Sequence, residues 1–211
     1  MRMASAVLVC ALPGLLLTVS ARPTGAQPAL TLNEFLAGPA RDWDGNGVVS
    51  TRDDEWIEVL NPGPSALDLT GFLITDDDSL PRYALSGSLA PGARRVIYGR
   101  EAYDWERANG FPAFGLSLNN TGDRVMLWQT AGGETLLVDS YLYAAHEAGA
   151  DRAVGRLPDG GSWALFDGLN LYTGSAPPPG TGCLPSPNAP NSCGVTPVAP
   201  VSWGRVKAFY R

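Results

Sequence analysis

Oxygen-bearing side chains recur at alternate positions over one short stretch, residues 42–53. The stretch reads DWDGNGVVSTRD, and counted from Asp42 its side-chain oxygens include those at positions 1, 3, 5, 9 and 12. Glycine occupies position 6, where a tight turn is needed, and valine occupies position 8. A hard cation such as Ca²⁺ takes about six to eight oxygen ligands at roughly 2.4 Å, and alternate residues of a tight loop can supply them.

This spacing predicts a calcium site of the EF-hand or dockerin type. The predicted ligands are five side chains and one backbone carbonyl, those of Asp42, Asp44, Asn46, Ser50, Asp53 and Val48 respectively. Position 12 is aspartate rather than the glutamate of EF-hands, as in many dockerin-like loops. No helical pattern flanks the stretch, so we expect the loop to lie between two strands. The alternative is a solvated Asp/Asn/Gly turn without metal.

Other candidate chemical groups are sparse. His146 is the only histidine, which disfavours a zinc site, and Ser162 lies in GGSWA, which is not a Gly-x-Ser-x-Gly nucleophile elbow. The run Asp76–Asp78 could gather a cation, although such runs more often form solvated turns. A small calcium-dependent hydrolase of phosphoesterase type would need Asp42, Asp76 and His146 to line one cleft.

The N-terminus predicts a secretory signal peptide over residues 1–26. A basic start is followed by an almost wholly apolar run over 4–19 and then by small residues. Cleavage after Ala26 or after Ala21 fits the pattern. The run is short for a bilayer span, so no transmembrane segment is expected after cleavage; a retained anchor is the alternative. The protein is therefore expected to be secreted or held at the cell surface.

Charge and cysteine content agree with an exported protein that does not bind nucleic acid. The whole chain has a net charge of −6, and removal of residues 1–26 takes away two arginines and no acid, which leaves about −8. An acidic surface does not attract phosphate backbones. Cys183 and Cys193 remain after cleavage, and an even pair in an exported chain predicts a disulfide.

The pattern between residues 28 and 175 predicts an all-β domain. Short apolar runs alternate with turn signals every 8–12 residues, and the chain holds 25 glycines and 18 prolines. The best helix candidate is residues 101–109. A doubly wound α/β fold would need several more helices, so the spacing favours a β-sandwich.

Several ordered motifs resemble the lamin tail domain family. They are LNEFL at 32–36, EWIEVLNPG at 55–63, LDLTGF at 67–72, LAPG at 89–92, LNNTGD at 118–123 and GRLPDG at 155–160. The resemblance implies an immunoglobulin-like β-sandwich. It also implies a binding or accessory role, often in secreted or surface-attached bacterial proteins, and it brings no catalytic residues.

The C-terminal part differs in composition from the rest. Residues 176–200 are rich in proline and nearly uncharged, which predicts a linker with the disulfide inside it. Residues 201–211 form an aromatic-basic segment, and its candidate partner-binding residues are Trp203, Arg205, Lys207, Phe209, Tyr210 and Arg211. The segment could dock on a protein or cell-surface partner, or it could fold back onto the sandwich.

Taken together, these features predict a non-catalytic secreted or cell-surface module with a calcium-binding loop. The alternatives are the hydrolase described above and a nucleic-acid-binding accessory domain. The latter would need four arginines to form one basic face, namely Arg94, Arg95, Arg100 and Arg107.

Overall fold

The structure is a computed structural model that describes residues 30–78 and 80–193. The predicted signal peptide, the end of the predicted linker and the aromatic-basic segment 201–211 lie outside the described residues. Within the described part, no helix is long and apolar enough to cross a membrane.

Eleven strands and one helix make up the described chain. The strands are β1 (Thr31–Leu36), β2 (Trp56–Leu60), β3 (Leu67–Asp68), β4 (Phe72–Thr75), β5 (Pro81–Ala84), β6 (Ser88–Leu89), β7 (Arg94–Tyr98), β8 (Gly122–Ala131), β9 (Glu134–Ala144), β10 (Ala153–Leu157) and β11 (Ser162–Phe166). The helix is α1 (Gly99–Ala108), which confirms the helix predicted nearby.

Two antiparallel sheets form the predicted immunoglobulin-like β-sandwich. One sheet has the strand order β11-β10-β1-β2-β7 and the other β5-β4-β8-β9; β3 and β6 form a separate short pair. The main core lies between the two sheets, where Phe35, Ile57 and Val154 of the first sheet meet Phe72 and Leu127 of the second. The all-β class read from the sequence is confirmed.

The five-stranded sheet is buried on both faces. Successive side chains of a strand point to opposite faces, and the neighbours of the core residues form a second apolar cluster on the outer face. This cluster contains Leu36, Trp56, Val96, Ala153, Phe166 and Cys183. Every residue of β1 and of β2 is consequently buried.

Residues 176–193 cover this outer face and do not extend away from the domain as a linker. Thr181 donates its backbone N–H to the carbonyl of Leu165 in β11 at 3.1 Å. Further along, Ser186 donates to the carboxyl of Glu34, and the amide of Asn188 donates to that of Glu58 at 2.6 Å. These two glutamates are fully buried on β1 and β2 and need donors, which the segment supplies.

The predicted disulfide between Cys183 and Cys193 is present and closes this covering segment. Replacing both cysteines by alanine should lower the free energy of unfolding by about 2–3 kcal/mol, because the bond removes conformational freedom from the unfolded chain. Urea unfolding of the oxidised protein and of the double variant measures the difference. Dithiothreitol should destabilise only the wild type; equal stability of the two oxidised proteins would contradict the prediction.

The stretch 67–75 is divided between two sheets. Gly71 has φ of +89°, a conformation that favours glycine, and it turns the chain between β3 and β4. A side chain at this position would also lie too close to the carbonyl oxygen of Thr130. β3 pairs with β6, whereas β4 pairs with β5 and β8.

Candidate functional site

The acidic stretch at 42–53 lies in the loop that joins β1 to β2. Gly45 and Gly47 have φ of +75° and +87°, which allows the chain to turn back twice within the loop. Asp42 accepts the backbone N–H groups of Asn46 and Gly47 at 3.0 and 2.7 Å. The loop is therefore tightly wound, with its side-chain oxygens turned toward its own backbone.

Three carboxylates converge inside this loop. Asp42, Asp44 and Asp54 each offer an oxygen, and these oxygens all lie within 4.8 Å of one another. Asp42 is exposed, Asp44 is half-buried and Asp54 is fully buried. Among the described residues, this is the one group of three acidic, histidine or cysteine side chains that is close enough to share a metal ion.

Asp54 occupies the place that the spacing assigned to Asp53. One oxygen of Asp54 accepts the amides of Trp43 and Asp44 at 2.6 and 3.0 Å, and the other accepts that of Ser50 at 2.7 Å. Asp53 instead forms an ion pair with Arg52 at 3.0 Å. Counting twelve positions from Asp42 points to Asp53. It misses Asp54, because the loop winds around the carboxylate of residue 54.

The remaining predicted ligands lie around the same loop. The Asn46 side chain donates to Asp44 at 2.8 Å and accepts the amide of Val48 at 2.7 Å. The Ser50 hydroxyl accepts the amides of Arg52 and Asp53, so it ends the loop as a local cap.

Asp151 fixes the entrance of the loop to the sandwich. Its carboxylate accepts the amide of Ala40, the Nε–H of Arg41 and the indole N–H of Trp43, at 2.9, 3.0 and 2.9 Å. The Trp43 ring also packs against the buried Trp56 at a centroid distance of 6.0 Å. The first carboxylates of the loop are thereby held on the outer face of the five-stranded sheet.

Helix α1 fixes the exit of the loop. The amide of Arg100 donates to the carbonyl of Asp53 at 3.1 Å, and the amide of Gly99 donates to that of Glu55 at 2.7 Å. The Arg52 guanidinium lies 4.5 Å above the Tyr103 ring of the helix. The loop is therefore anchored at both ends by regular structure.

The electrostatics of the loop favour a cation. The pKa of Asp44 is raised above its usual value, first by desolvation and then also by the negative charge of Asp54 and the contact with Asp42. Carboxylates held this close repel one another when ionised, and a bound cation would relieve that repulsion. The arrangement suits a divalent ion with oxygen ligands better than acid–base catalysis.

The residues required for the hydrolase alternative do not share one cleft. Asp76 lines a cleft on the four-stranded sheet, but neither Asp42 nor His146 is among the residues that line it. The His146 ring packs instead against Tyr172 at a centroid distance of 4.7 Å. The triplet Asp76–Asp78 does not converge as a metal site.

The four arginines considered for a nucleic-acid surface are engaged with other side chains. Arg107 lies over the Tyr103 ring at 5.8 Å. The other three pair with carboxylates: Arg94 with Asp159, Arg95 with Glu101, and Arg100 with Asp104. The candidate partner-binding residues of 201–211 lie outside the described residues.

Fold and loop together define an immunoglobulin-like β-sandwich that carries an acidic loop between its first two strands. The sequence model of the Lamin Tail Domain family matches residues 23–145, more than half of the chain. The chain belongs to the lamin tail domain family, a family of non-enzymatic immunoglobulin-like modules. The match ends before β10. Strands β10 and β11 nevertheless belong to the five-stranded sheet that contains β1 and β2.

No curated protein and no solved structure matches the chain.

Proposed function

We propose that this protein is a non-catalytic module, secreted or held at the cell surface, that binds or supports a partner and is stabilised by a calcium ion in the loop 42–54. The convergence of Asp42, Asp44 and Asp54 carries the calcium part of the proposal. Membership of the lamin tail domain family supports a role in binding or scaffolding.

The proposed ligand set begins with those three carboxylates. Asn46, Ser50 and the carbonyl of Val48 are the further oxygens that the spacing of the loop offers. Calcium tolerates irregular coordination by carboxylates, amides and carbonyls, whereas magnesium demands near-ideal octahedral geometry. A loop rich in aspartate and asparagine therefore favours calcium.

The proposed role of the ion is structural. It would neutralise carboxylates that otherwise repel one another, and it would join the entrance of the loop, held by Asp151, to its exit, held by α1. Extracellular modules often bind calcium with dissociation constants on the order of 0.1–1 mM, which suits the millimolar calcium of such environments. The bond between Cys183 and Cys193 agrees with an oxidising compartment.

Thermal unfolding tests the calcium site. At about 10 mM calcium, a site of that affinity should add roughly 1.5–3 kcal/mol of stability and raise the midpoint of the wild type by roughly 3–10 °C relative to EDTA. Asp44→Asn should abolish most of this increase, because it removes one of the three converging charges. Differential scanning calorimetry in EDTA, calcium and magnesium measures it.

Asp53→Asn is the matched control. It changes the neighbouring carboxylate, which pairs with Arg52, and it should leave the response to calcium nearly intact. Loss of the response in Asp53→Asn but not in Asp44→Asn would show that position 53 is the ligand. If calcium does not change the midpoint of the wild type, the loop is only a polar turn.

A further inference from the structure

Two asparagines of the chain are followed by glycine: Asn46 in the loop 42–54 and Asn109 at the end of α1. Both asparagines and both glycines are exposed, and Gly47 and Gly110 have φ of +87° and +76°. An asparagine before glycine can lose its side-chain amide, because the next backbone nitrogen attacks the side-chain carbonyl and glycine has no side chain to obstruct that attack. The contacts around each pair therefore decide which one reacts.

The reaction is a cyclisation followed by a hydrolysis. The backbone nitrogen of the glycine forms a bond to Cγ of the asparagine, the bond between Cγ and Nδ2 breaks, and the proton of the backbone N–H leaves with Nδ2 as ammonia. Water then opens the succinimide at either carbonyl, which gives aspartate or isoaspartate. The attack is intramolecular, so positioning of the groups controls its rate. The sum is the addition of water and the loss of ammonia, without an oxidant or a reductant.

Two contacts of the loop favour this cyclisation at Asn46. Gly47 donates its backbone N–H to Oδ2 of Asp42 at 2.7 Å, which is the reach of a general base from the proton that must leave. Oδ1 of Asn46 accepts the backbone N–H of Val48 at 2.7 Å, and this donor stabilises the negative charge that develops on the oxygen during the attack. The same contact folds the side chain of Asn46 over the peptide of Gly47.

In the described part of the chain, the pair at Asn109 has neither contact. Its Nδ2 donates to the carbonyl of Trp105 at 2.8 Å, which holds the side chain against the last turn of α1. Gly110 donates its N–H to the carbonyl of Arg107 at 3.4 Å, and a peptide carbonyl is too weak a base to take that proton. Asn109 is therefore an internal reference with the same two residue types and similar exposure.

We propose that Asn46 is a site of spontaneous deamidation, with Asp42 as the base and the N–H of Val48 as the donor to the developing oxyanion. Asp42 takes the proton of Gly47 and passes it through solvent to the departing Nδ2. Both glycine and water are accessible at this turn, so the reaction needs no enzyme.

The reaction would regulate the loop, and this part rests on the proposed calcium site. Asp42 and the side-chain oxygen of Asn46 both belong to the proposed ligand set, so a bound ion would occupy the base and the carbonyl and protect the residue. The isoaspartate product adds a carbon to the backbone at position 46 and displaces the side-chain oxygen, so that product should no longer support the ion. Loss of calcium would then become irreversible with time.

Peptide mass spectrometry tests the proposal. The purified protein is kept in EDTA at pH 8 and 37 °C, and samples taken over several weeks are digested and scored for the one-dalton mass increase at Asn46 and at Asn109. Asn46 should react at least about fivefold faster than Asn109, because a positioned general base contributes at least that factor. A smaller ratio would overturn the proposal.

Asp42→Ala tests the base directly. It should slow the reaction at Asn46 at least about fivefold and leave the rate at Asn109 as it was. Asp53→Ala is the matched control, since this carboxylate lies in the same loop and pairs with Arg52, and it should change neither rate. A variant that unfolds would change the rate at Asn109 as well. An unchanged rate at Asn46 in a folded Asp42→Ala variant would contradict the assignment.

A parallel series in 10 mM calcium separates this proposal from the calcium site. Calcium should slow the reaction at Asn46 at least about fivefold and leave Asn109 unaffected, since binding of the ion engages the base. If calcium raises the thermal midpoint without protecting Asn46, the regulatory part is wrong. If calcium does neither, the proposed calcium site fails with it, and the comparison in EDTA still decides whether Asn46 is a deamidation site.

Discussion

Replacement of Arg82 by leucine is expected to lower the free energy of unfolding by about 3–5 kcal/mol. Arg82 is 1% exposed on β5, and its guanidinium pairs with Asp76 at 2.7 Å and with Glu106 at 3.2 Å. Both carboxylates are buried as well. Leucine would leave two buried acids without their cation, and an uncompensated buried charge is far more costly than a lost surface pair.

The effect should spread to helix α1, because Glu106 lies at its C-terminal end and also orders the following turn. One oxygen of Glu106 pairs with Arg82, and the other accepts the amides of Phe114 and Gly115 at 2.6 and 2.8 Å. Asp76 would also lose the guanidinium that lowers its pKa, which burial already raises to about 7, so its carboxyl would take up a proton at low pH. We therefore expect the loss in Arg82→Leu to be smaller at low pH than at pH 8.

Urea unfolding at pH 8 and pH 5 measures this effect. Arg100→Leu is the matched control, because Arg100 pairs with Asp104 at 3.1 Å on the exposed face of α1, with both side chains more than half exposed. Exposed pairs of this spacing contribute about 0.3–0.5 kcal/mol, so the control should change little. A loss under about 1 kcal/mol for Arg82→Leu would show that the buried cluster is not needed for stability.

Stability is expected to fall as the pH rises from about 5 to 8, and Glu34 should account for about 1 kcal/mol of the loss per pH unit. Glu34 is fully buried on β1 beneath the segment 176–193. Burial raises its pKa from the usual 4.5 to about 8, against the opposing effect of the hydrogen bonds from Ser186. Between these two values the unfolded chain has released the proton that the folded chain still holds, so rising pH favours unfolding.

Glu34→Gln isolates this contribution. Glutamine keeps an oxygen that can accept from Ser186 and carries no titrating proton, so the variant should gain on the wild type by about 1 kcal/mol per pH unit over this range. Urea unfolding at pH 5, 6, 7 and 8 measures the slope. Four other acids have raised pKa values and contribute a residual slope of the same sign in both proteins, namely Asp44, Glu55, Glu58 and Asp76.

Glu134→Gln is the control for the pH series, since Glu134 is exposed at the start of β9 and should leave the slope unchanged. Parallel pH profiles for the wild type and Glu34→Gln would mean that Glu34 is ionised in the folded protein over this range. In that case the hydrogen bonds from Ser186 and the charge of Arg94 would have to stabilise the ionised carboxylate.

Apart from Asp76, the acids behind these two effects are ones that sequence inspection did not single out. Glu34 and Glu58 lie within strands that read simply as apolar runs, and Glu106 lies in the predicted helix. Alternation places Glu34 and Glu58 on the outer face of the five-stranded sheet, which would be solvated if the sheet stood alone. Glu34 and Glu58 become buried because the segment 176–193 covers that face, whereas Glu106 becomes buried where α1 meets the turn that follows it. The burial of Glu34 and Glu58 therefore depends on contacts between residues far apart in the chain.

The sequence by itself determined the all-β class and the cysteine pair, and it predicted the stretch 42–53 as a candidate cation loop. These features depend on local chemistry: alternation of apolar residues, turns at glycine and proline, and oxygens at loop spacing. The family resemblance followed from the order of the same motifs. The helix predicted near 101–109 also follows from local sequence, since Gly110 and Pro112 end it.

Only the tertiary structure decided which residues meet. It brought Asp54 rather than Asp53 to Asp42 and Asp44, because the loop winds around the carboxylate that accepts its amides. It placed residues 176–193, the described part of the predicted linker 176–200, over the outer face of the five-stranded sheet. There the segment supplies the hydrogen-bond donors that the buried glutamates need. It also brought together residues 76–78, 117–123 and 142–144 around one cleft, from segments up to 68 residues apart, between Asp76 and Ala144, which no local pattern encodes.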